Sequence, residues 1–393
     1  MSDGPLNGVT VVEFTNLIAG PYAGMLLADL GARVIKVEPP SGDLGRQFGP
    51  FHNGESAFFM AVNRGKESVS LDTKDWISKR ALDNLVKKTD VVISNLRHGA
   101  MERMGLGEER CRVLNPKVIY AVVSAFGDTG PYAKRAGVDI IFQGESGMIS
   151  ITGGPRDGTG KTATTIGDYV AANNLALGIA AALAETPRRG RRIDVSLRDG
   201  LMAVQSGWNA IGFAGHGQPE RTGTASPFLA PNQVFKASDG PFTLAVVSDR
   251  HFALLADALE RPDLVDDFSS NDKRMANRES LTRKLARVFK TEGVEYWVEL
   301  LGNAGLPVGR VLTLAEAFDD PQARHHDMLI EFEHPVAGHM RTTGSPIRLD
   351  GSTSVADDIP PVLGQHTRSI LAEVGIDEGT IEKMIVEGKA ISP

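Results

Sequence analysis

One cysteine in 393 residues, Cys111, leaves nothing for an internal disulfide to join. Its neighbours Arg110 and Arg112 make the stretch polar, so the thiol is expected on a helix surface and unreactive. The nine histidines form no HExxH pattern and no CxxC pair exists, so no metal site is expected. A glycine fingerprint for dinucleotides is also missing. Gly42, Gly45 and Gly49 do not make GxGxxG, and the first strand runs into Thr-Asn-Leu-Ile-Ala-Gly-Pro, which argues against NAD. Positive charge is in deficit, with 42 Lys+Arg against 49 Asp+Glu and a net charge of -7, which disfavours nucleic acid as a partner. The basic turn 188–192 lies between a helix and a strand and reads as a solvated end that complements the helix dipole. Asp3, Glu13 and Asp29 interrupt the first 30 residues, so neither a secretory signal nor a membrane span is expected there, and the expected compartment is the cytoplasm. No repeat or low-complexity tract is present.

With 41% hydrophobic and 23% charged residues the chain has an ordinary globular composition, and its length exceeds what one core usually supports, so two domains are expected. Apolar runs at 8–14, 33–37, 90–93, 118–123 and 193–197 predict buried strands, and helical patterns over 19 to about 30, 76–87 and 167–185 alternate with them. Strands alternating with helices mean a parallel sheet covered on both faces, with ligands beyond the strand C-termini. A further helix is expected over 200–212. The Gly-, Pro-, Thr- and Ser-rich stretch 215–231 is the best domain boundary. Beyond it, a strand at 242–247 and helices at 251–259 and 278–301 predict a small α+β unit, followed by 314–318, strands near 329–333 and 339–342, and a last helix at 366–374.

The stretch Glu13-Phe14-Thr15-Asn16-Leu17-Ile18-Ala19-Gly20-Pro21, followed by Gly31-Ala32-Arg33-Val34-Ile35-Lys36-Val37-Glu38-Pro39-Pro40, resembles the start of the family III CoA-transferases, of the formyl-CoA transferase type. The likeness continues in family order at Asn63-Arg64-Gly65-Lys66, Ser94-Asn95-Leu96-Arg97-His98-Gly99, Met104-Gly105-Leu106-Gly107, Gly130-Pro131-Tyr132, Gly167-Asp168, Ile193-Asp194-Val195-Ser196-Leu197 and Ala304-Gly305-Leu306-Pro307-Val308-Gly309. It spans nearly the whole chain. The resemblance implies an α/β fold: a large Rossmann-like, CoA-binding domain from 1–214 and 318–393, a small α+β domain from 215–317, and two chains interlocked as a homodimer. It implies transfer of coenzyme A from an acyl-CoA to a small carboxylic acid, with CoA as substrate and no permanently bound cofactor.

That transfer needs an enzyme carboxylate that attacks the donor thioester and then holds CoA as an aspartyl thioester. The resemblance assigns this role to Asp168. Gly167 before it permits close backbone approach, and a helix expected to begin there favours the carboxylate form and offers N–H groups to an oxyanion. By itself, an Asp at a helix start is equally an N-cap contributing about 1 kcal/mol. CoA contacts are implied at Ile18 and Ala19, at Leu71, Asp72, Thr73 and Lys74, at Asn95, Leu96 and Arg97, at Arg103, and at Arg135, Ala136, Gly137, Val138 and Asp139. Lys74, Arg97, Arg103 and Arg135 are the candidate phosphate partners.

The chain also departs from the family. Ile18 stands where the formate–oxalate enzymes carry Gln, and their Gly-rich loop has no clear counterpart near 224–231, which favours a larger or more apolar acyl group over oxalate. The rival readings are an α-methylacyl-CoA racemase and a noncatalytic acyl-CoA binder. The racemases carry His directly before the Asp of the Asp139 segment. Here that place is Val138, which can neither accept nor deliver a proton, and only a substitute such as His98 could take over.

Overall fold

The computed structural model describes residues 4–154, 158–354, 356 and 359–393. The chain packs as two compact units, one from Met1–Ser146, Ala163–Gln205 and Asp320–Pro393, the other from Gly147–Thr162 and Ser206–Asp319. Residues 147–162 and 206–214 therefore pack with the second unit, although the sequence placed them in the large domain. The stretch after Ser206 is apolar and helical in local pattern, so its own periodicity does not reveal which core it joins.

In the first unit six parallel strands form one sheet: β1 Thr10–Phe14, β2 Arg33–Glu38, β3 Lys66–Leu71, β4 Val91–Ser94, β5 Ile119–Ser124 and β6 Arg191–Ser196. Their order is β3-β2-β1-β4-β5-β6, with the short antiparallel strand Ala390–Ile391 outside β3. The order reverses between β1 and β4. In such sheets the crevice beyond the strand C-termini at the reversal is where ligands bind. β1, β2, β4 and β5 are almost wholly buried, as expected of strands covered on both faces.

The helices that matter for the site are α1 Ala19–Asp29, α2 Trp76–Lys87, α3 Asp139–Glu145, α4 Ile166–Leu183 and α5 Leu197–Val204. α1 and α4 are built largely of small apolar residues and pack along each other. Short side chains let the two axes come close. The C-terminal helices Thr367–Glu373 and Glu378–Val386 bring Ile370, Leu371, Ile381 and Met384 into the core beside Val12, Leu71 and Val92. The second of them was not expected from the sequence. Cys111 belongs to this same core: it is fully buried, its Sγ donates to the Leu106 carbonyl (3.2 Å), and burial pushes the thiol up to about 12. The exposed face of this helix is carried by its neighbours, among them Glu109, Arg110 and Val113.

The second unit has a three-stranded antiparallel sheet in the order Val308–Arg310, Pro241–Ala245, Asn232–Lys236. Its core is aromatic: Phe289 meets Phe235 and Phe242 with centroids 5.0 Å apart and Trp297 at 5.2 Å. The helix expected over 278–301 is two helices, Arg278–Phe289 and Val294–Asn303, because Asp239 accepts from the Val294 N–H (2.8 Å) and starts a new helix there. The helix expected over 200–212 is likewise two, Leu197–Val204 and Ser206–Phe213.

Candidate active site

Asp168 is the third residue of α4, not its cap; Thr165 holds the cap position without a side-chain hydrogen bond. The first-turn amides are already used. The Ile166 N–H bonds Thr164 O (2.9 Å), that of Asp168 bonds Thr165 O (3.1 Å), and that of Gly167 donates to Asp139 Oδ1 (2.8 Å). The expectation that these amides serve an oxyanion is thus overturned. A side chain at Gly167 would push on this contact, since a Cβ there would lie 2.9 Å from Asp139 Oδ1 and 3.2 Å from Leu201.

The expectation that the helix end would hold Asp168 ionised is overturned as well. Its carboxyl is pushed up to about 7, first by burial and then by the carboxylate of Asp139. Two carboxylates are thus paired without a cation between them. Asp139, the first residue of α3, is buried, and its Oδ2 accepts from Gln143 Nε2 (2.5 Å) one turn further on. With one oxygen on the Gly167 N–H and the other on Gln143, Asp139 sets the position of the Gly167-Asp168 turn. Gln143 is a site residue that sequence reasoning missed; its spacing four residues after Asp139 on a helix was the available signal.

α1 offers what α4 lacks. Among the described residues, Ala19 and Gly20 make no intramolecular bond through their N–H groups, Pro21 has none, and Ile18 caps nothing with its side chain. Tyr22, one turn into α1, meets Tyr169 edge-on with centroids 4.8 Å apart, so the first turns of α1 and α4 lie side by side. Ala19 and Gly20 are buried, and their unbonded donors at a helix N-terminus beside a half-buried carboxyl group form a place where an anionic or polarised oxygen is stabilised.

The other residues implied for CoA lie beyond the C-terminal ends of the strands. Leu71 ends β3, and Asp72, Thr73 and Lys74 follow it; the Asp72 N–H bonds Lys389 O (2.7 Å), and Asp72 Oδ1 accepts from the Lys74 N–H (3.0 Å). Asn95, Leu96 and Arg97 follow β4. Asn95 exchanges two hydrogen bonds with the Asn16 backbone, each 2.8 Å, which ties the β1 and β4 loops together at the point of reversal. Among the described residues Lys74, Arg97 and Arg103 are exposed and make no ion pair, so their charges are open to a ligand. Arg135 differs. It pairs with Glu145 (2.6 Å) and lies over the rings of Phe126 and Tyr132, which commits its guanidinium to the protein.

Ala136 and Gly137 lead to Val138, which is 61% exposed just before Asp139. His98 contacts Asp128 Oδ1 through Nδ1 (2.9 Å), and Asp128 is itself bonded by Arg192 (2.6 Å). Among the described residues no group of His, Cys, Asp and Glu could hold a metal ion.

Fold and site together define an α/β protein with a half-buried, charge-unmatched carboxyl group near the crevice beyond the strand C-termini. Residues 6–367 match the family described as CoA-transferase family III. Succinyl-CoA:glutarate CoA-transferase of Mus musculus is 36% identical over 98% of this chain and 90% of its own length. Acetyl-CoA:oxalate CoA-transferase of Acetobacter aceti is 38% identical over 88% of this chain and 90% of its own. The crystal structure of a CaiB/BaiF family protein from Brucella suis superposes with a TM-score of 0.84 at 34% identity, covering 95% of this chain and all of that one. The chain belongs to CoA-transferase family III. It is an enzyme of that class, with acyl-CoA thioesters and carboxylates as substrates.

Proposed function

We propose that Asp168 carries the acyl group and then CoA through the transfer. Its carboxylate oxygen attacks the donor thioester carbonyl, the C–S bond breaks, and CoA leaves as thiolate from a mixed anhydride. The thiolate attacks the Asp168 carbonyl of that anhydride, releasing the donor acid and leaving an aspartyl-CoA thioester. The acceptor carboxylate attacks this thioester, forming a second anhydride, and the thiolate then takes the acceptor acyl group and restores Asp168. Charge and atoms balance at each step, and CoA never needs to leave the site.

The observation that carries this reading is the placement of Asp168 in the first turn of α4 against Asp139, which holds the Gly167 N–H (2.8 Å); burial and Asp139 raise its carboxyl to about 7. A buried carboxylate facing a like charge is costly as an anion, and acylation removes that charge, so both covalent states relieve the ground state. The Ala19 and Gly20 amides, unbonded among the described residues, are suited to hold the thioester carbonyl oxygen of bound acyl-CoA. Val138 supplies an apolar wall where a two-base racemase needs an imidazole, so racemisation is not favoured.

The two named relatives use glutarate and oxalate, both dicarboxylic acids. With the apolar Ile18 near the reacting group, the reading is a dicarboxylate acceptor of glutarate size, not oxalate, and a short acyl-CoA donor. The test is a matrix of acyl-CoA donors against mono- and dicarboxylic acids read by mass spectrometry, with a stalled turnover digested to find the peptide containing Asp168. New thioesters with CoA mass on that peptide are expected. Transfer without any adduct there would overturn the covalent route, and α-deuteration of a 2-methylacyl-CoA in deuterium oxide without transfer would restore the racemase. We further propose an interlocked homodimer. Tagged and untagged protein mixed under native conditions should then fail to form mixed dimers until unfolded; mixing within minutes would refute it.

A further inference from the structure

The turn that leads from β1 into α1 is held in a conformation its sequence does not favour. Leu17 has a backbone φ of +66°. A left-handed conformation is uncommon for a branched, non-glycine residue, and it persists only where the surroundings over-determine it. Those surroundings are a buried ionic network. The Leu17 N–H donates to Asp43 Oδ1 (3.1 Å), which also accepts from the Gly45 N–H (2.7 Å). Asp43 Oδ2 pairs with Lys36 Nζ (2.7 Å). Lys36 Nζ donates in turn to Thr15 O (2.9 Å) and Thr15 Oγ1 (3.1 Å), and neither Lys36 nor Asp43 exposes any side-chain surface. The next links of the chain are Ile18 and the open amides of Ala19 and Gly20. Asp43 thus spends both oxygens on one task, gripping the turn with one and the lysine that grips Thr15 with the other.

From this we infer that Asp43, through Lys36, is a positioning residue for CoA binding: it holds Leu17 left-handed so that the start of α1 is presented to the ligand. The inference rests on the reading above that the Ile18–Ala19 turn contacts CoA. Asp43 itself touches no substrate. An asparagine at this place has one acceptor oxygen where Asp43 uses two, so it must release either the Leu17 and Gly45 amides or the Lys36 ammonium.

The experiment compares Asp43→Asn with the double variant Asp43→Asn/Leu17→Gly, because glycine adopts positive φ without steric cost. For Asp43→Asn the KM for acyl-CoA should rise about tenfold with kcat changed no more than about threefold, the pattern of lost uniform binding. The double variant should recover most of that KM without recovering thermal stability. A KM rise that glycine at 17 does not reverse would show that Asp43 acts only through stability, and overturns the inference. Should Asp43→Asn not fold, Leu17→Val decides: a β-branched residue at positive φ should raise the KM with the ionic network intact, and an unchanged KM overturns the inference. Hydrogen exchange of the wild-type enzyme with and without free CoA separates the two levels. Protection of the Ala19 and Gly20 amides with no effect of either variant sinks the positioning role alone; no protection sinks the contact reading on which it rests.

Discussion

The first unit buries carboxylates in two places and treats them oppositely. Around β1 and β2, Glu13, Glu38 and Asp43 face Lys36, Lys66 and Arg46: Lys66 Nζ reaches Glu13 Oε1 (2.9 Å), Pro21 O (2.7 Å) and Asn63 Oδ1 (3.0 Å), and Arg46 bonds Glu38 through two nitrogens (2.7 and 2.8 Å). Burial alone raises the carboxyls of Glu38 and Asp43, but Arg46 and Lys36 outweigh it and leave both below their ordinary values. Packing is so close that a Cβ on Gly24 would fall 1.9 Å from Glu13 Oε2. At α4 a half-buried carboxyl meets no cation, only Asp139, and Asp168 rises to about 7. Burial with counter-charge makes scaffold; burial without it makes a reactive group.

The largest test of that contrast is Asp168→Asn. Transfer should fall by about 10³-fold or more, since a nucleophile is lost, while CoA affinity by calorimetry stays within a few-fold. Retention of more than a few per cent of activity would erase the distinction. Next in size is Lys36→Met, which strands Asp43 as a buried anion and leaves Glu13 to Lys66 alone. Removing one partner of a buried ion pair costs about 3–5 kcal/mol, so denaturant unfolding should shift accordingly. A change below about 1 kcal/mol would mean that the network is not the scaffold described. A smaller effect sharpens the contrast at the surface: Arg97→Ala, which frees no anion, should raise the KM for acyl-CoA about five- to tenfold, whereas the same change at Arg135, already spent on Glu145, should raise it less than about threefold. Equal effects would show that pairing does not decide which cations serve the ligand.

Asp168, the proposed nucleophile, was reached in the sequence through the family resemblance, and the scaffold was not read, for physical reasons. Strands β1, β2, β4 and β5 announce themselves by near-continuous apolar runs, whereas a glycine before an acid at a helix start reads equally as a plain cap. Asp139 became visible as the partner of Asp168 only once α3 docked against α4, since the two residues are far apart in the chain. Glu13, Lys36, Glu38 and Lys66 were in view as part of the resemblance, yet their pairing was not read. They interrupt strands buried on both faces, and a charge at such a place must find a partner, which was the available signal. Cys111 misled because its two arginine neighbours point outward while it points inward, one helical position apart. The strand Ala390–Ile391 is too short for any period to show.

The last prediction concerns stability, where the two kinds of carboxylate should differ in sign. The Asp168 carboxyl titrates near 7 in the folded protein and near 3.8 when unfolded. Between these values the folded state keeps a proton that the unfolded state has released, so folding is favoured by acid. The stabilising share is fully present below about 4 and is lost as pH rises through 7. Above neutrality the enzyme carries the whole cost of an unmatched buried anion. Asp168→Asn carries no such charge and keeps a similar shape, so it should melt higher than the wild type at pH 8 and equal it near pH 4. Because part of the side chain reaches water, the gain is put at about 1–2 kcal/mol, or roughly 2–4 °C in Tm. Asp43 has the opposite sign: its folded carboxyl lies below the ordinary value, so its share of stability is present above that value and is lost as pH falls through the folded one. Melting curves of wild type and Asp168→Asn from pH 5 to 8 should therefore diverge as pH rises. A gap that is constant across that range, or a variant that melts lower at pH 8, would show that Asp168 is matched after all and that its burial stores nothing for the reaction.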